Sequence, residues 1–210
     1  MIKHLLRRLL RGTASAAVCA LPRGMSTRLL RADTRNYRQT WIEPVGIPYR
    51  QAVYERQGAN GARPLRDNPT AAEIAAVLHA SGARRVLEVG CGWGRLMAGL
   101  AGEFEVEGCD VSADMLKLVL PGLHAFHHDI AMEDIPFIRA NAGRWDACFT
   151  RGVMLYLVQD RLACSYALNN MLALAQHQVH CWEWPEVCEA LRCWSDSERL
   201  VLHPIEHRDE

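Results

Sequence analysis

The chain has 210 residues, of which 50% are hydrophobic and 23% charged, with 15 Gly and 9 Pro. These values are ordinary for a globular protein and exclude a disordered, collagen-like or coiled-coil chain. The net charge of zero is the sum of a basic and an acidic part. Residues 1–66 carry 13 Lys/Arg and 3 Asp/Glu, whereas residues 67–210 carry 11 Lys/Arg and 21 Asp/Glu. A body with this acidic balance is not expected to hold nucleic acid by bulk positive charge.

Residues 1–35 are predicted to form a basic amphipathic tail, in which residues 1–31 could contact a membrane surface or another protein. Its apolar face is formed by Ile2, Leu5, Leu6, Leu9 and Leu10. A mitochondrial presequence in residues 1–24, and a true start at Met25, are the two other interpretations. No apolar stretch reaches the roughly 18 residues that span a bilayer, so we expect no transmembrane helix and a cytoplasmic protein, or a mitochondrial one if the presequence is real.

Residues 36–66 form a second predicted segment, in which aromatic side chains alternate with Arg and Gln. The aromatic residues are Tyr37, Trp41, Tyr49 and Tyr54. Such a segment is compatible with a lid over a substrate, and equally with simple packing against the body.

Residues 67–210 show the regular punctuation of a folded domain. A capping box at Thr70 and Glu73 begins a helix that ends before Gly82. Further helices are predicted over residues 95–101, 112–120, 161–175 and 186–194, and strands over residues 85–89, 104–109, 124–128, 145–150, 179–184 and 200–205. This alternation predicts a three-layer α/β/α sandwich with a mostly parallel sheet.

Three closely spaced glycines, Gly90, Gly92 and Gly94, separate the first strand of this domain from the following helix. Such a turn exposes backbone N–H groups at a helix N-terminus and lets a ligand approach closely. A dinucleotide fingerprint needs Gly-x-Gly-x-x-Gly, but Arg95 stands where its third glycine would be. The spacing therefore disfavours a dinucleotide.

With its Glu-x-Gly-x-Gly-x-Gly segment, the sequence resembles the class I S-adenosylmethionine-dependent methyltransferases over residues 68–186. The resemblance implies a Rossmann-like fold and S-adenosylmethionine as cofactor. It implies that Glu88 faces the methionine end of the cofactor and that the loop glycines let the backbone pass beside it. Asp110, 20 positions beyond Gly90, could accept hydrogen bonds from both ribose hydroxyls.

Further residues match the family's later motifs. The resemblance places Val111 beside the adenine, Asp129 at the adenine amino group, and Ile130 as the apolar residue that follows. Cofactor binding is thus assigned to Glu88, Gly90, Gly92, Gly94, Asp110, Val111, Asp129 and Ile130. Only 26 residues follow Trp184, where the family adds two final strands, so we expect a sheet shortened at its C-terminal end.

The methyl acceptor is less well defined by the sequence. Residues 145–156 resemble the family's fourth strand and the loop that borders cofactor and acceptor, which implies that Thr150, Arg151 and Tyr156 lie near the transferred methyl group, but no catalytic base can be named. The chain lacks the Asn/Asp-Pro-Pro-Tyr segment of base, glutamine or adenine methylation and the Pro-Cys nucleophile of cytosine C5 methylation. We therefore expect a small-molecule acceptor.

Two other functions stay open: a nucleotide-dependent oxidoreductase, and a catalytically silent cofactor-binding partner protein. No metal site is expected. No Cys or carboxylate stands at a familiar ligand spacing from His124, His127 and His128. Cys188 and Cys193 lie on one short predicted helix, where two thiols are more often packing residues than zinc ligands. Oligomeric state is not predicted.

Overall fold

The computed structural model describes residues 38–56, 69–158 and 160–205. Its sheet has six strands in the order β3-β2-β1-β4-β5-β6, and every neighbouring pair is parallel. The strands are β1 (Arg85–Val89), β2 (Glu105–Asp110), β3 (His124–His127), β4 (Trp145–Arg151), β5 (Ala175–Glu183) and β6 (Leu200–Pro204). The predicted mostly parallel, Rossmann-like sheet is confirmed.

Helices connect these strands, as a parallel sheet requires. The α-helices are α1 (Ile47–Arg56), α2 (Ala71–Ala80), α3 (Arg95–Leu100), α4 (Ala113–Leu116), α5 (Ile135–Asn141), α6 (Met154–Leu157), α7 (Arg161–Leu174) and α8 (Pro185–Trp194). A π-helical turn (Arg38–Ile42) and a 3₁₀ turn (Pro44–Gly46) precede α1. The capping box of α2 is formed as predicted, with Thr70 and Glu73 each accepting the other's backbone N–H.

Each face of the sheet has its own apolar core. Leu87, Val89 and Cys148 pack with α7 and α8 on one face. Val86 and Phe149 pack with α2 and α3 on the other. Strand residues therefore alternate between two buried layers, which explains the continuous apolar runs of β1 and β4.

The C-terminal end of the sheet is short, as the sequence predicts. Strand β6 pairs directly with β5, from Val179↔Leu200 to Glu183↔Pro204. No strand pairs with the outer side of β6 among the residues that the structure describes. The strand order reverses between β1 and β4, and ligands of open α/β sheets bind at such a point, beyond the carboxyl ends of the strands.

Several boundaries differ from the predicted ones. Helix α4 ends at Leu116 rather than near Leu120, because the Leu120 N–H donates instead to the Trp93 carbonyl at 3.3 Å. Strand β5 begins at Ala175, directly after α7. Helices α5 and α6 were not predicted at all.

The segment 38–56 is fastened to the body by Arg50, whose side chain is only 3% exposed. Its guanidinium donates to the carbonyls of Thr40 and Glu43 at 2.9 and 3.0 Å and to Asp114 Oδ2 in α4 at 2.7 Å. The rest of the predicted 36–66 segment falls outside the described residues. So does the predicted tail of residues 1–35. In the described part of the chain, no helix is long and apolar enough to cross a membrane.

We expect Arg50→Met to release this segment, because it removes three hydrogen bonds from a buried cation. Hydrogen bonds to charged groups contribute about 1.5–3 kcal/mol, so local stability over residues 38–56 should fall by at least that amount. Amide hydrogen exchange measures this directly. Arg84→Met, at an exposed arginine, is the control. Unchanged exchange in Arg50→Met would contradict the fastening role.

Candidate functional site

The loop after β1 is built by glycines in the left-handed region. Gly90, Gly92 and Gly94 have φ values of 77°, 56° and 83°. The N–H groups of Gly90 and Cys91 donate to the Cys109 carbonyl at 2.8 and 3.1 Å, which ties the loop to β2. Residues with a Cβ are strained at such φ values, so this loop shape needs glycine.

Asp110 at the end of β2 closes the loop from the other side. Its Oδ2 accepts from the Gly92 N–H at 2.8 Å and its Oδ1 from the Ser112 N–H at 2.7 Å. The side chain is buried, and this burial raises the pKa of Asp110 although the backbone donors oppose the shift. Each oxygen keeps a lone pair for a further donor.

Glu88, near the end of β1, is a buried carboxylate with a free acceptor. The residue is 4% exposed, and its Oε2 has no hydrogen-bond partner. Burial, and after it the nearby charge of Asp110, raises the pKa of Glu88 to about 8, although Arg95 and Arg151 act in the opposite direction. The buried site therefore favours the protonated form of Glu88 near neutral pH.

Two glycines of the loop are also required by packing. A Cβ on Gly90 would lie 2.3 Å from Val153 Cγ2, in the turn after β4. A Cβ on Gly94 would lie 2.8 Å from Leu123 Cδ1. Gly92 is different, since its nearest neighbour, Met115 Cε, is 3.4 Å away.

The remaining predicted cofactor residues lie beyond β2 and β3. Val111 is half-buried, and its carbonyl contacts His127 Nε2 at 3.1 Å. Asp129 Oδ1 accepts from the Ala131 N–H at 3.0 Å, and Ile130 is part of the core on the α7 side. Asn170 in α7, which the sequence analysis did not identify, holds this loop by donating to the carbonyls of Ile130 and Met132 at 2.9 Å each.

The three residues predicted near the methyl group lie at the end of β4 and just beyond it, in different environments. Thr150 is fully buried, and its hydroxyl has no hydrogen-bond partner. Arg151 is half-buried. Tyr156 lies in α6, and Trp41 of the 38–56 segment contacts it edge-on, with ring centroids 5.4 Å apart. Tyr54 contacts Trp93 of the glycine loop similarly, at 5.7 Å, so the segment touches both sides of the site.

The sequence analysis missed Glu183, the last residue of β5. It is fully buried, and its Oε1 accepts from the backbone N–H groups of Val153 and Met154 at 2.8 and 2.7 Å. Burial raises the pKa of Glu183 to about 7 against the opposing effect of these donors. A signal was present in the sequence, because Glu183 lies near the end of a predicted strand, as Glu88 and Asp110 do.

A metal cluster and a surface cavity are two other features that could bind a ligand. No group of three or more His, Cys, Asp or Glu side chains is arranged to hold a metal ion in the described ranges. A cavity of about 570 Å³ opens at the amino ends of β1 and β2, lined in part by His79, Arg84 and Phe104. It lies at the edge of the sheet opposite the glycine loop and contains none of the predicted site residues.

The comparisons with known proteins agree with this site. Residues 86–175, which include the glycine loop, Asp110 and β4, match the family model described as a methyltransferase domain. Residues 86–175 are therefore similar to a methyltransferase domain. The resemblance described in the sequence analysis implies S-adenosylmethionine as the cofactor of such a domain. No curated protein matches the chain.

Several solved structures that match part of the chain are described as methyltransferases. They include the methyltransferase domain of bacterial CtHen1 (25% identity, TM-score 0.43, 52% of this chain and 62% of that one). The sugar N-methyltransferase KedS8 from Streptoalloteichus sp. matches at 22% identity and TM-score 0.47, over 60% of this chain and 48% of its own. A Methanococcus maripaludis protein described as a putative S-adenosyl-L-methionine-dependent methyltransferase matches at 14% identity and a TM-score of 0.47. The match covers 68% of this chain and 64% of that one. The chain thus spans less than two thirds of each of these proteins.

The donors and acceptors of the methyltransferase site suit this cofactor. Glu88 Oε2 is an unpartnered buried acceptor, suited to an ammonium group. Asp110 has free lone pairs for hydroxyl donors, and a Cβ at Gly92 would meet only Met115 Cε, at 3.4 Å, so a ligand can come close to the backbone there. These three features lie at one edge of the sheet, where the cofactor would need them.

The space at Gly92 can be tested with a matched pair of alanine substitutions. Gly92→Ala and Gly122→Ala introduce a Cβ at φ values of 56° and 86°, and neither meets a close neighbour. Both should destabilise the fold by about 1–2 kcal/mol through left-handed strain. Only Gly92→Ala should weaken binding of S-adenosylhomocysteine in calorimetry. Equal affinities of the two variants would remove Gly92 from the site.

The raised pKa of Glu88 predicts that cofactor binding releases a proton. At pH 7 the free site holds protonated Glu88, and a bound ammonium group favours the carboxylate, so binding should release up to about one proton. Calorimetry in buffers of different ionisation enthalpy measures this. Release should disappear above about pH 9 and in Glu88→Gln. Buffer-independent heats at pH 7 would contradict the prediction.

The raised pKa of Glu88 also makes the free energy of unfolding depend on pH. Between the ordinary pKa of 4.5 and the folded value of about 8, the folded protein keeps a proton that the unfolded chain releases. The contribution of Glu88 to stability is therefore full below pH 4.5 and is lost as the pH rises through this range.

Proposed function

We propose that the protein transfers a methyl group from S-adenosylmethionine to a nucleophilic atom of a small-molecule acceptor. The observation that carries the proposal is the convergence of Glu88, the left-handed glycine loop and Asp110 at the carboxyl edge of the sheet. When bound, the cofactor supplies an electrophilic methyl group. The protein's part is then to bind and align the two reactants and to exclude water.

The cofactor contacts that we propose are those that the family resemblance implies. Glu88 accepts from the amino group, Gly90 and Gly92 allow the backbone to approach, and Asp110 accepts from the ribose hydroxyls. Gly94 shapes the loop, because its lack of a Cβ leaves room for the Leu123 side chain. Farther along the edge, Val111 lies beside the adenine, Asp129 accepts from its amino group, and Ile130 supports the loop from the core.

The acceptor is assigned to the β4 side of the site. Thr150 offers a hydroxyl without a partner, and Arg151 a cation. Tyr156 and Trp41 form an aromatic wall between the body and the 38–56 segment. This contact supports the interpretation of the segment as a lid. The acidic balance of residues 67–210 favours a small molecule over a nucleic acid. We assign the protein to the cytoplasm, with the mitochondrion as the alternative.

A nucleotide-dependent oxidoreductase is the second candidate, and one observation favours it. The all-parallel order 3-2-1-4-5-6 is also the order of dinucleotide-binding sheets. Arg95 and the Gly-x-Gly-x-Gly spacing weigh against it. A catalytically silent partner protein would share the cofactor site, so only turnover of an acceptor separates it from an enzyme.

Calorimetric titration with S-adenosylhomocysteine, and in parallel with NADH and NADPH, tests the assignment. Saturable binding of S-adenosylhomocysteine alone is expected. Binding of a reduced nicotinamide alone would overturn the proposal in favour of the oxidoreductase.

Asp110→Ala should weaken S-adenosylhomocysteine binding by roughly 1.5–3 kcal/mol, about tenfold to a hundredfold, because it removes charge-assisted hydrogen bonds. It also removes the acceptor for two backbone N–H groups. Asp146→Ala is the matched control, since Asp146 accepts from the Arg84 and Arg85 N–H groups at 2.9 and 2.8 Å at the opposite edge of the sheet. The control should lose stability but keep its affinity. Unchanged affinity in Asp110→Ala would remove it from the site.

A further inference from the structure

Glu183 is a buried carboxylate that the cofactor assignment leaves unused. It ends β5, next to the strand that carries Thr150 and Arg151. One oxygen accepts two backbone N–H groups, from Val153 and Met154, and the other is buried without a partner. Burying a carboxylate costs free energy unless its contacts offset the loss of water. The burial of Glu183 therefore calls for an explanation in terms of the two N–H groups that it holds.

The turn that Glu183 holds follows β4 directly. Gly152 lies at φ 68°, and its N–H donates to the Trp182 carbonyl at 3.0 Å. The next two N–H groups, of Val153 and Met154, donate to Glu183. Strand β5 therefore fixes three consecutive N–H groups of this turn, one through its backbone and two through a side chain.

Val153 carries this constraint to the cofactor loop. Its Cγ2 lies 2.3 Å from the position that a Cβ would occupy on Gly90, so the methyl group fills the space beside that glycine. Gly90 is itself tied to β2 by its N–H bond to the Cys109 carbonyl. A displacement of the turn would remove the side chain that supports one side of the loop.

We infer that Glu183 is a positioning residue for cofactor binding: by holding the Val153–Met154 turn, it keeps the Val153 side chain against Gly90 and so fixes the glycine loop. It acts through Val153 and does not contact the cofactor. The inference rests on the proposed binding of S-adenosylmethionine. It requires a hydrogen-bond acceptor at residue 183, not a negative charge, because Glu183 holds both N–H groups with a single oxygen.

The matched pair Glu183→Gln and Glu183→Leu separates these roles. The glutamine carbonyl can accept both N–H groups, whereas leucine fills similar space without an acceptor. Calorimetry with S-adenosylhomocysteine should find Glu183→Gln within about threefold of the wild type and Glu183→Leu at least tenfold weaker. Thermal melting and circular dichroism establish that each variant is folded at the titration temperature. Met171→Ala, in the buried face of α7, controls for destabilisation alone and should keep its affinity.

A double-mutant cycle with Val153→Ala tests the route. Val153→Ala should weaken binding, and Glu183→Leu/Val153→Ala should be no weaker than Glu183→Leu, because both changes remove the same support. Wild-type affinity in folded Glu183→Leu would overturn the inference, as would equal losses in Glu183→Gln and Glu183→Leu or fully additive losses in the double variant. Failure of the wild-type protein itself to bind S-adenosylhomocysteine would instead refute the proposed function.

Discussion

The bridge from Asp110 to the Gly92 and Ser112 N–H groups is the interaction on which the site depends. It joins the loop after β1 to the start of α4 after β2, and it gives two backbone donors an acceptor where the strands end. A buried carboxylate is tolerated there because backbone donors face it. The left-handed glycines then follow as a necessity, since the loop must turn back to present the Gly92 N–H to β2.

Buried carboxylates recur at the ends of neighbouring strands along this edge of the sheet. Asp110, Glu88 and Glu183 lie at or near the ends of β2, β1 and β5, and all three are buried with raised pKa values. Their partners differ: Asp110 uses both oxygens on the backbone, Glu183 uses one, and Glu88 Oε2 has no hydrogen-bond partner. Oε2 of Glu183 is likewise without a partner, so what sets Glu88 apart is its position directly before the glycine loop.

Local patterns predicted most of the sheet and the glycine turn after its first strand. The Thr70–Glu73 capping box and the strand–glycine–helix sequence around Gly90 are set by neighbouring residues, so they can be read from the sequence. Helix α5 was missed because it has only seven residues and its apolar side chains, Phe137 and Ile138, are only partly buried against the core, although Asp134 caps it. Helix α6 has four residues and receives its acceptor from Glu183, 29 positions away from Met154. The bond between Arg50 and Asp114 spans 64 positions, so no local pattern predicts that the segment 38–56 meets the site.

A crystal structure of the protein with S-adenosylhomocysteine tests the central claim most directly. The account predicts the amino group within hydrogen-bonding distance of Glu88 and the ribose hydroxyls on the free lone pairs of Asp110, with both carboxylates keeping their present positions. Adenosine bound away from Asp110, or an amino group without contact to Glu88, would contradict it.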